Sequence, residues 1–255
     1  MGIRALALPL ALAALAPAPA HAAAARTLSV AVAANVLPAA REIARAFEAE
    51  SGAVVRLTPG SSGELAAQIE NGAPFDLFLS ADMGYPRRLR KDGFAAAPAP
   101  YARGTLIVWS LSGLDLSKGL AALADAKAVR IALADPGTAP YGRAAEQALE
   151  ASGLRGALAP KLVYGESVSQ VDGFVASRAV EAGFTSRSAV ERRRWKGKGA
   201  WFAVPPRLYA PIDQGLVVLA HGERTAPALA ERLRAFVLGP RGRAILRRAG
   251  YGTPP

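Results

Sequence analysis

Short apolar runs alternate with amphipathic helical stretches along almost the whole chain, and that alternation admits few folds. Residues 28–34 form a β-prone run. Residues 38–50 follow with helical spacing, which places Leu37, Ala40, Ile43, Ala44 and Phe47 on one face. A strand is predicted over 53–57. A helix over 63–70 carries Leu65 and Ile69 and stops at Asn71-Gly72, and a buried apolar strand runs over 75–79. The pattern is βαβαβ, the mark of a parallel sheet covered by helices.

A Pro- and Ala-rich stretch at 95–100 reads as a break, after which the alternation resumes. Strands are predicted over 105–109, 130–134, 161–164, 181–185 and 215–220. Between them lie a short helix over 120–124 and longer ones over 142–152 and 168–177. Two amphipathic helices, 226–238 and 241–249, close the chain, the second stopped by Gly250. No internal sequence repeat is visible. Two α/β units joined by crossovers are the expected architecture, the first built from 23–104 and 210–255 and the second from 105–209.

The first residues predict the compartment. Residues 1–22 carry one charge, Arg4, then an Ala-, Leu- and Pro-rich run that ends on Ala20-His21-Ala22, the small-x-small pattern of a signal-peptidase site. Pro9, Pro17 and Pro19 break that run, so a cleaved signal peptide and a periplasmic protein are expected rather than a permanent span. Cysteine is absent, which excludes disulfides, a thiol nucleophile, thiolate metal ligands and a lipidated cysteine. The formal charge is +11, and +10 without Arg4. In an exported protein that balance fits an anionic ligand or an acidic surface, and equally an Arg- and Ala-rich composition with no functional meaning.

Four strand-to-helix turns carry small or polar residues where a helix begins. They are Ala33-Ala34-Asn35, Gly60-Ser61-Ser62-Gly63, Pro140-Tyr141-Gly142 and Glu166-Ser167-Val168-Ser169. The first turn of a helix has unsatisfied N–H groups and the positive end of the dipole, so converging helix starts can hold a dianion by hydrogen bonds alone. Taken singly, each turn has a plainer explanation. Ser61 and Glu64 have the spacing of a capping box, Asn35 suits an N-cap, and Asp135-Pro136-Gly137 is a turn.

Three segments in order, Ser29-Val30-Ala31-Val32-Ala33-Ala34-Asn35, Gly60-Ser61-Ser62-Gly63-Glu64-Leu65 and Gly72-Ala73-Pro74-Phe75-Asp76-Leu77-Phe78-Leu79-Ser80-Ala81-Asp82, are similar to the periplasmic molybdate-binding proteins of ABC importers. The likeness runs on through Ile131-Ala132-Leu133-Ala134-Asp135-Pro136 and Pro140-Tyr141-Gly142 to Gly250-Tyr251-Gly252, and so covers the chain beyond the leader. It implies a two-lobed binding-protein fold with mostly parallel sheets flanked by helices and the ligand in the cleft. The implied ligand is molybdate or tungstate, with no cofactor and no metal cation, and the implied partner is the membrane permease of an ABC importer, served by a monomer. Position by position, the resemblance places ligand contacts on Asn35, Ser62, Tyr141 and Val168, with Ala34 and Ser61 as neighbours. Val168 and Tyr141 would act through backbone N–H groups, Asn35 and Ser62 also through side chains. Where some family members have a donor tyrosine in a later strand, this chain has Ser186, too short to reach as a phenol would.

Other functions fit poorly. Once the leader is gone His221 is the only histidine, and there is no Gly-x-Ser-x-Gly elbow, zinc cluster or P-loop, so an enzyme is not expected. The basic run Arg192-Arg193-Arg194-Trp195-Lys196-Gly197-Lys198 could grip nucleic acid, but export and the usual fate of such runs favour a solvated loop. Sulfate is the nearer rival, since it shares molybdate's charge and geometry and differs mainly in size.

Overall fold

The computed structural model describes Gly2 and residues 27–254, and the predicted leader lies outside the described residues except for Gly2. The first sheet has the order β2-β1-β3-β10-β4, from β1 (Thr27–Ala33), β2 (Val54–Gly60), β3 (Leu77–Leu79), β4 (Ala99–Gly104) and β10 (Ile212–Val218). The second has the order β7-β6-β8-β5-β9, from β5 (Leu106–Ser110), β6 (Ile131–Ala134), β7 (Leu162–Gly165), β8 (Ala182–Ser186) and β9 (Ala200–Ala203). In each sheet three neighbouring strands run parallel, and one antiparallel strand, β10 or β5, separates them from a fifth. Each sheet is flanked by helices, giving two α/β lobes of the same strand order.

The helices sit where the apolar spacing puts them. In the first lobe α1 (Leu37–Ser51), α2 (Ser62–Glu70) and α3 (Gly84–Lys91) each follow a parallel strand. In the second, α4 (Pro140–Ala151), α6 (Val168–Ala176) and α7 (Arg187–Glu191) do the same, with a short α5 (Arg155–Leu158) between the first two. The closing helices α8 (Ala220–Thr225), α9 (Pro227–Leu238) and α10 (Pro240–Arg248) return to the first lobe. The predicted stripe of α1 is buried at Ala40, Ile43, Ala44 and Phe47, and Phe47 meets Phe236 of α9 edge-on at 5.7 Å. Such a pair adds about 0.5–1.5 kcal/mol to the burial of its rings. No helix among the described residues is long and apolar enough to cross a membrane.

Several elements depart from the sequence expectations. The break expected at 95–100 contains the start of β4, whose Pro100 pairs with Gly215 beside a β-bulge at Gln214 and Gly215, a place where a strand tolerates a missing N–H. The helix α3 was not expected because Gly84 and Pro86 open it and only Pro86 and Leu89 are buried. Beyond β4 and α3, the short edge strand β9 and the short helices α5, α7 and α8 were also missed.

The chain crosses between lobes twice, from β4 into β5 through Thr105 and from β9 back to β10 through residues 204–211. The crossings lie side by side, since Gly104 pairs with Ile212 and Arg103 holds Asp213 with Nε to Oδ1 at 2.6 Å.

Candidate functional site

Parallel strands send all their helix starts to one edge of a sheet, and ligands of open α/β sheets bind outside that edge. In the first lobe the pairing of Ala33 with Gly60 puts the β1–α1 and β2–α2 turns side by side. In the second, Ala134 pairs with Gly165, which does the same for the β6–α4 and β7–α6 turns. The two edges face each other and touch. Gly63 donates its N–H to Thr138 O at 2.9 Å, Ser169 donates its hydroxyl to Ala34 O at 3.2 Å, and Ser188 donates to Asn35 O at 3.1 Å. Arg143 of α4 grips Asp82 and lies over the Tyr85 ring at 5.4 Å, while the Tyr85 hydroxyl reaches Gly137 O at 3.3 Å. The lobes are closed on one another.

Asn35, Ser62, Tyr141 and Val168 are all buried in this cleft, none more than 5% exposed. Their backbone N–H groups take no protein acceptor among the described residues. Ser62, Tyr141 and Val168 lie in the first turns of α2, α4 and α6, and Asn35 two residues before α1, where helical N–H groups have no internal partner. The Ser62 hydroxyl oxygen accepts from Ala81 N at 2.9 Å, which leaves its own hydrogen to donate.

Ala34 and Ser61 are placed differently. The Ala34 N–H is engaged with Gly60 O at 2.9 Å. Ser61 forms the full capping box, its N–H on Glu64 Oε2 at 3.1 Å and its hydroxyl accepting Glu64 N–H at 3.3 Å. Both residues shape the turns, and neither N–H is left over.

Asn35 also differs from expectation. It does not cap α1, whose N-cap is Val36 without a side-chain bond. Its side-chain amide donates to Gln214 Oε1 and to the Tyr251 hydroxyl, both at 3.1 Å, so the backbone N–H is what Asn35 leaves for a ligand. Gln214 is fully buried and ties the hinge together. It accepts from the Tyr101 hydroxyl at 2.9 Å and donates Nε2 to the Tyr141 hydroxyl at 3.2 Å. The Tyr141 phenol is thus held at the hinge, where it packs against Gly104, while its N–H faces the cleft. Burial raises the pKa of Tyr101 and Tyr141 and pushes Tyr251 up to about 12, so these hydroxyls stay neutral donors.

Ser186 enters the same network. Its hydroxyl lies 2.6 Å from that of Ser188, which donates to Asn35 O, and Tyr251 donates to the same carbonyl at 2.8 Å. Gln214, Tyr101 and Ser188 carry no signal in a single sequence, because isolated polar residues in strands and turns show no periodicity. Tyr251 stood out only through the Gly-Tyr-Gly segment near the C-terminus.

A closed two-lobed cleft edged by uncommitted helix-start donors defines a solute-binding protein. The family model described as bacterial extracellular solute-binding protein matches residues 28–252. The chain is 38% identical over 225 residues to the molybdate-binding protein ModA of Azotobacter vinelandii, covering 88% of each. It is 38% identical over 226 residues to ModA of Rhodobacter capsulatus, covering 88% of this chain and 87% of the relative. The solved periplasmic molybdate-binding protein of Azotobacter vinelandii superposes with a TM-score of 0.84 at 34% identity, covering 89% of this chain and 100% of that one. The chain belongs to the bacterial extracellular solute-binding proteins and, within them, to the molybdate-binding group. That family consists of binding proteins, which agrees with the expectation that the chain is not an enzyme.

Proposed function

We propose that this protein captures molybdate in the periplasm by hydrogen bonds in the interlobe cleft and delivers it to the permease of an ABC importer. The observation that carries this reading is the set of four uncommitted N–H groups, on Asn35, Ser62, Tyr141 and Val168, at helix starts drawn from both lobes. A tetrahedral dianion presents oxygens in four directions and suits donors arriving from opposite walls. Each charge-assisted bond contributes on the order of 1.5–3 kcal/mol, and the helix dipoles add to the attraction. Such a site needs no metal cation and no ion pair with Lys or Arg. The Ser62 hydroxyl is a fifth donor, and Ala34 and Ser61 act by fixing the turns. The division into a first lobe from 23–104 and 210–255 and a second from 105–209 is part of the same reading, as is action as a monomer after removal of residues 1–22.

Tungstate nearly matches molybdate in size and should bind equally well. Sulfate is smaller. A rigid ring of helix ends cannot contract onto it, and its stretched bonds weaken steeply, at a total cost of roughly a thousandfold in affinity. Calorimetric titration with molybdate, tungstate, sulfate and phosphate tests the reading. Sulfate displacing molybdate at comparable concentration would move the protein to the sulfate binders.

A further inference from the structure

A charged pair lies at the foot of the α6 donor. Asp172 follows Val168 by one helical turn on the same face and is 3% exposed. Thr185 of β8 donates its hydroxyl to one carboxylate oxygen, and Arg192 Nη2 donates to the other at 2.8 Å. Arg192 follows α7 and lines a cavity of about 180 Å³ together with Asn35, Ser188 and Tyr251. The pair therefore borders the network that holds the Asn35 turn, and the Tyr251 hydroxyl senses both charges.

The sign of these charges matters to an anion. A helix N-terminus offers about half a positive charge, and a bare carboxylate one turn behind it would offset that field and repel a dianion directly. We propose that Arg192 is a positioning and specificity-setting residue that neutralises Asp172 and so keeps the Val168 N–H attractive to a doubly charged ligand. This inference rests on the oxyanion-binding reading. It also gives a role to the first arginine of the basic run, which reaches inward while Arg193, Arg194, Lys196 and Lys198 are exposed.

Few other charges bear on Asp172. β8 contributes Thr185, the segment after α7 contributes Arg192 and Arg194, and the C-terminal segment contributes Tyr251. On the remaining strands packed against α6, β6 has no charged residue, and the Tyr164 hydroxyl of β7 is held by Glu146 and Arg155. Burial raises the Asp172 pKa to about 6 even with Arg192 pulling it down, so without Arg192 the carboxyl takes a proton more readily still.

The test is calorimetry with molybdate, and with perrhenate as a monoanion of the same shape, on wild type, Arg192→Met, Arg192→Lys and the double variant Asp172→Asn/Arg192→Met. At about pH 9, where Asp172 is charged more fully, Arg192→Met should lose at least about tenfold in molybdate affinity and clearly less for perrhenate, while Arg192→Lys stays within about threefold of wild type. The molybdate loss should shrink as pH falls, from above about pH 6 onward, because without Arg192 the Asp172 carboxyl takes its proton more readily than in wild type. The double variant should return to within about threefold of wild type. Unchanged binding in Arg192→Met, or a double variant no better than Arg192→Met, overturns the inference. If Arg192→Met does not fold, the double variant decides alone, and a tenfold loss there is fatal. A wild type that binds no oxyanion would instead overturn the functional reading beneath it.

Discussion

Gly63 meets Thr138 across the cleft, donating its backbone N–H to the carbonyl oxygen at 2.9 Å with no room for a side chain between them. A Cβ on Gly63 would come within 2.6 Å of the Tyr85 hydroxyl, 2.9 Å of Thr138 Cα and 3.0 Å of its oxygen. The contact joins the two lobes, so opening the cleft would break it, and a ligand favours whichever state touches it from both sides. Gly63→Ala should fold normally but bind molybdate more weakly. Small-angle scattering should show the wild type contracting at saturating ligand and the variant contracting less. Identical contraction in both would mean that closure does not depend on this approach.

Arg143, Asp82 and Tyr85 form a latch at the rim of the cleft. The pair is partly exposed, so its contribution is at most about 1 kcal/mol. Arg143→Ala should raise the molybdate off-rate by up to about fivefold and leave the on-rate nearly unchanged. Stopped-flow fluorescence separates the two rates. A change confined to the on-rate would show that Arg143 steers the ligand rather than holding the door.

Ser62→Ala removes a proposed ligand donor and also the acceptor of Ala81 N–H. Affinity should fall roughly tenfold or more, and stability by about 1–3 kcal/mol for the buried N–H left unpaired. Asn35→Ala should weaken binding similarly by loosening its turn, since the lost amide held Gln214 and Tyr251. Calorimetry and denaturant titration measure the two effects. Untouched affinity in both variants would put the site elsewhere.

At the hinge, a Cβ on Gly104 would lie 2.1 Å from the Tyr141 hydroxyl oxygen. Gly104→Ala should therefore destabilise the protein by about 1–3 kcal/mol through overpacking, and adding Tyr141→Phe should recover part of that loss. Tyr141→Phe alone should keep its molybdate affinity within about threefold, because the proposed contact is the N–H and not the phenol. A large affinity loss in Tyr141→Phe would place the phenol in the site.

Asp172 makes stability depend on pH. Its folded pKa, raised to about 6 by burial, lies above the unfolded value of 3.8, so the native state keeps its proton to higher pH. The unfolded state binds fewer protons between those values, and this residue's contribution to stability falls as pH rises through the window. Relative to Asp172→Asn, wild type should lose on the order of 3 kcal/mol between about pH 4 and pH 7. Urea unfolding of both proteins across that range checks the slope, and parallel curves would show that Asp172 is ionised throughout.

Much of the architecture was legible because apolar spacing reports burial directly. The stripe Ala40, Ile43, Ala44 and Phe47 marked α1, and the run Leu77-Phe78-Leu79 marked a strand buried on both faces. The edge elements β4, β9 and α3 were less legible, since β9 and α3 bury few residues and Pro100, Gly84 and Pro86 look like breakers in isolation. The four donor turns could be read because first-turn N–H groups follow from the backbone alone. What the Asn35 side chain does could not be read, because Gln214 stands 179 residues away and only the hinge brings them together.

The paired crossings at Gly104 and Ile212 have a mechanical consequence. Two strands bonded edge to edge bend easily about one line and resist twisting or sliding, so the second lobe should swing like a door with a single working angle. Both ends of that lobe leave the first within one hydrogen-bonded pair, which makes it an insertion into an otherwise continuous body. Any probe pair placed on the two lobes should then report one coordinate, with distances that change in fixed proportion as ligand is added.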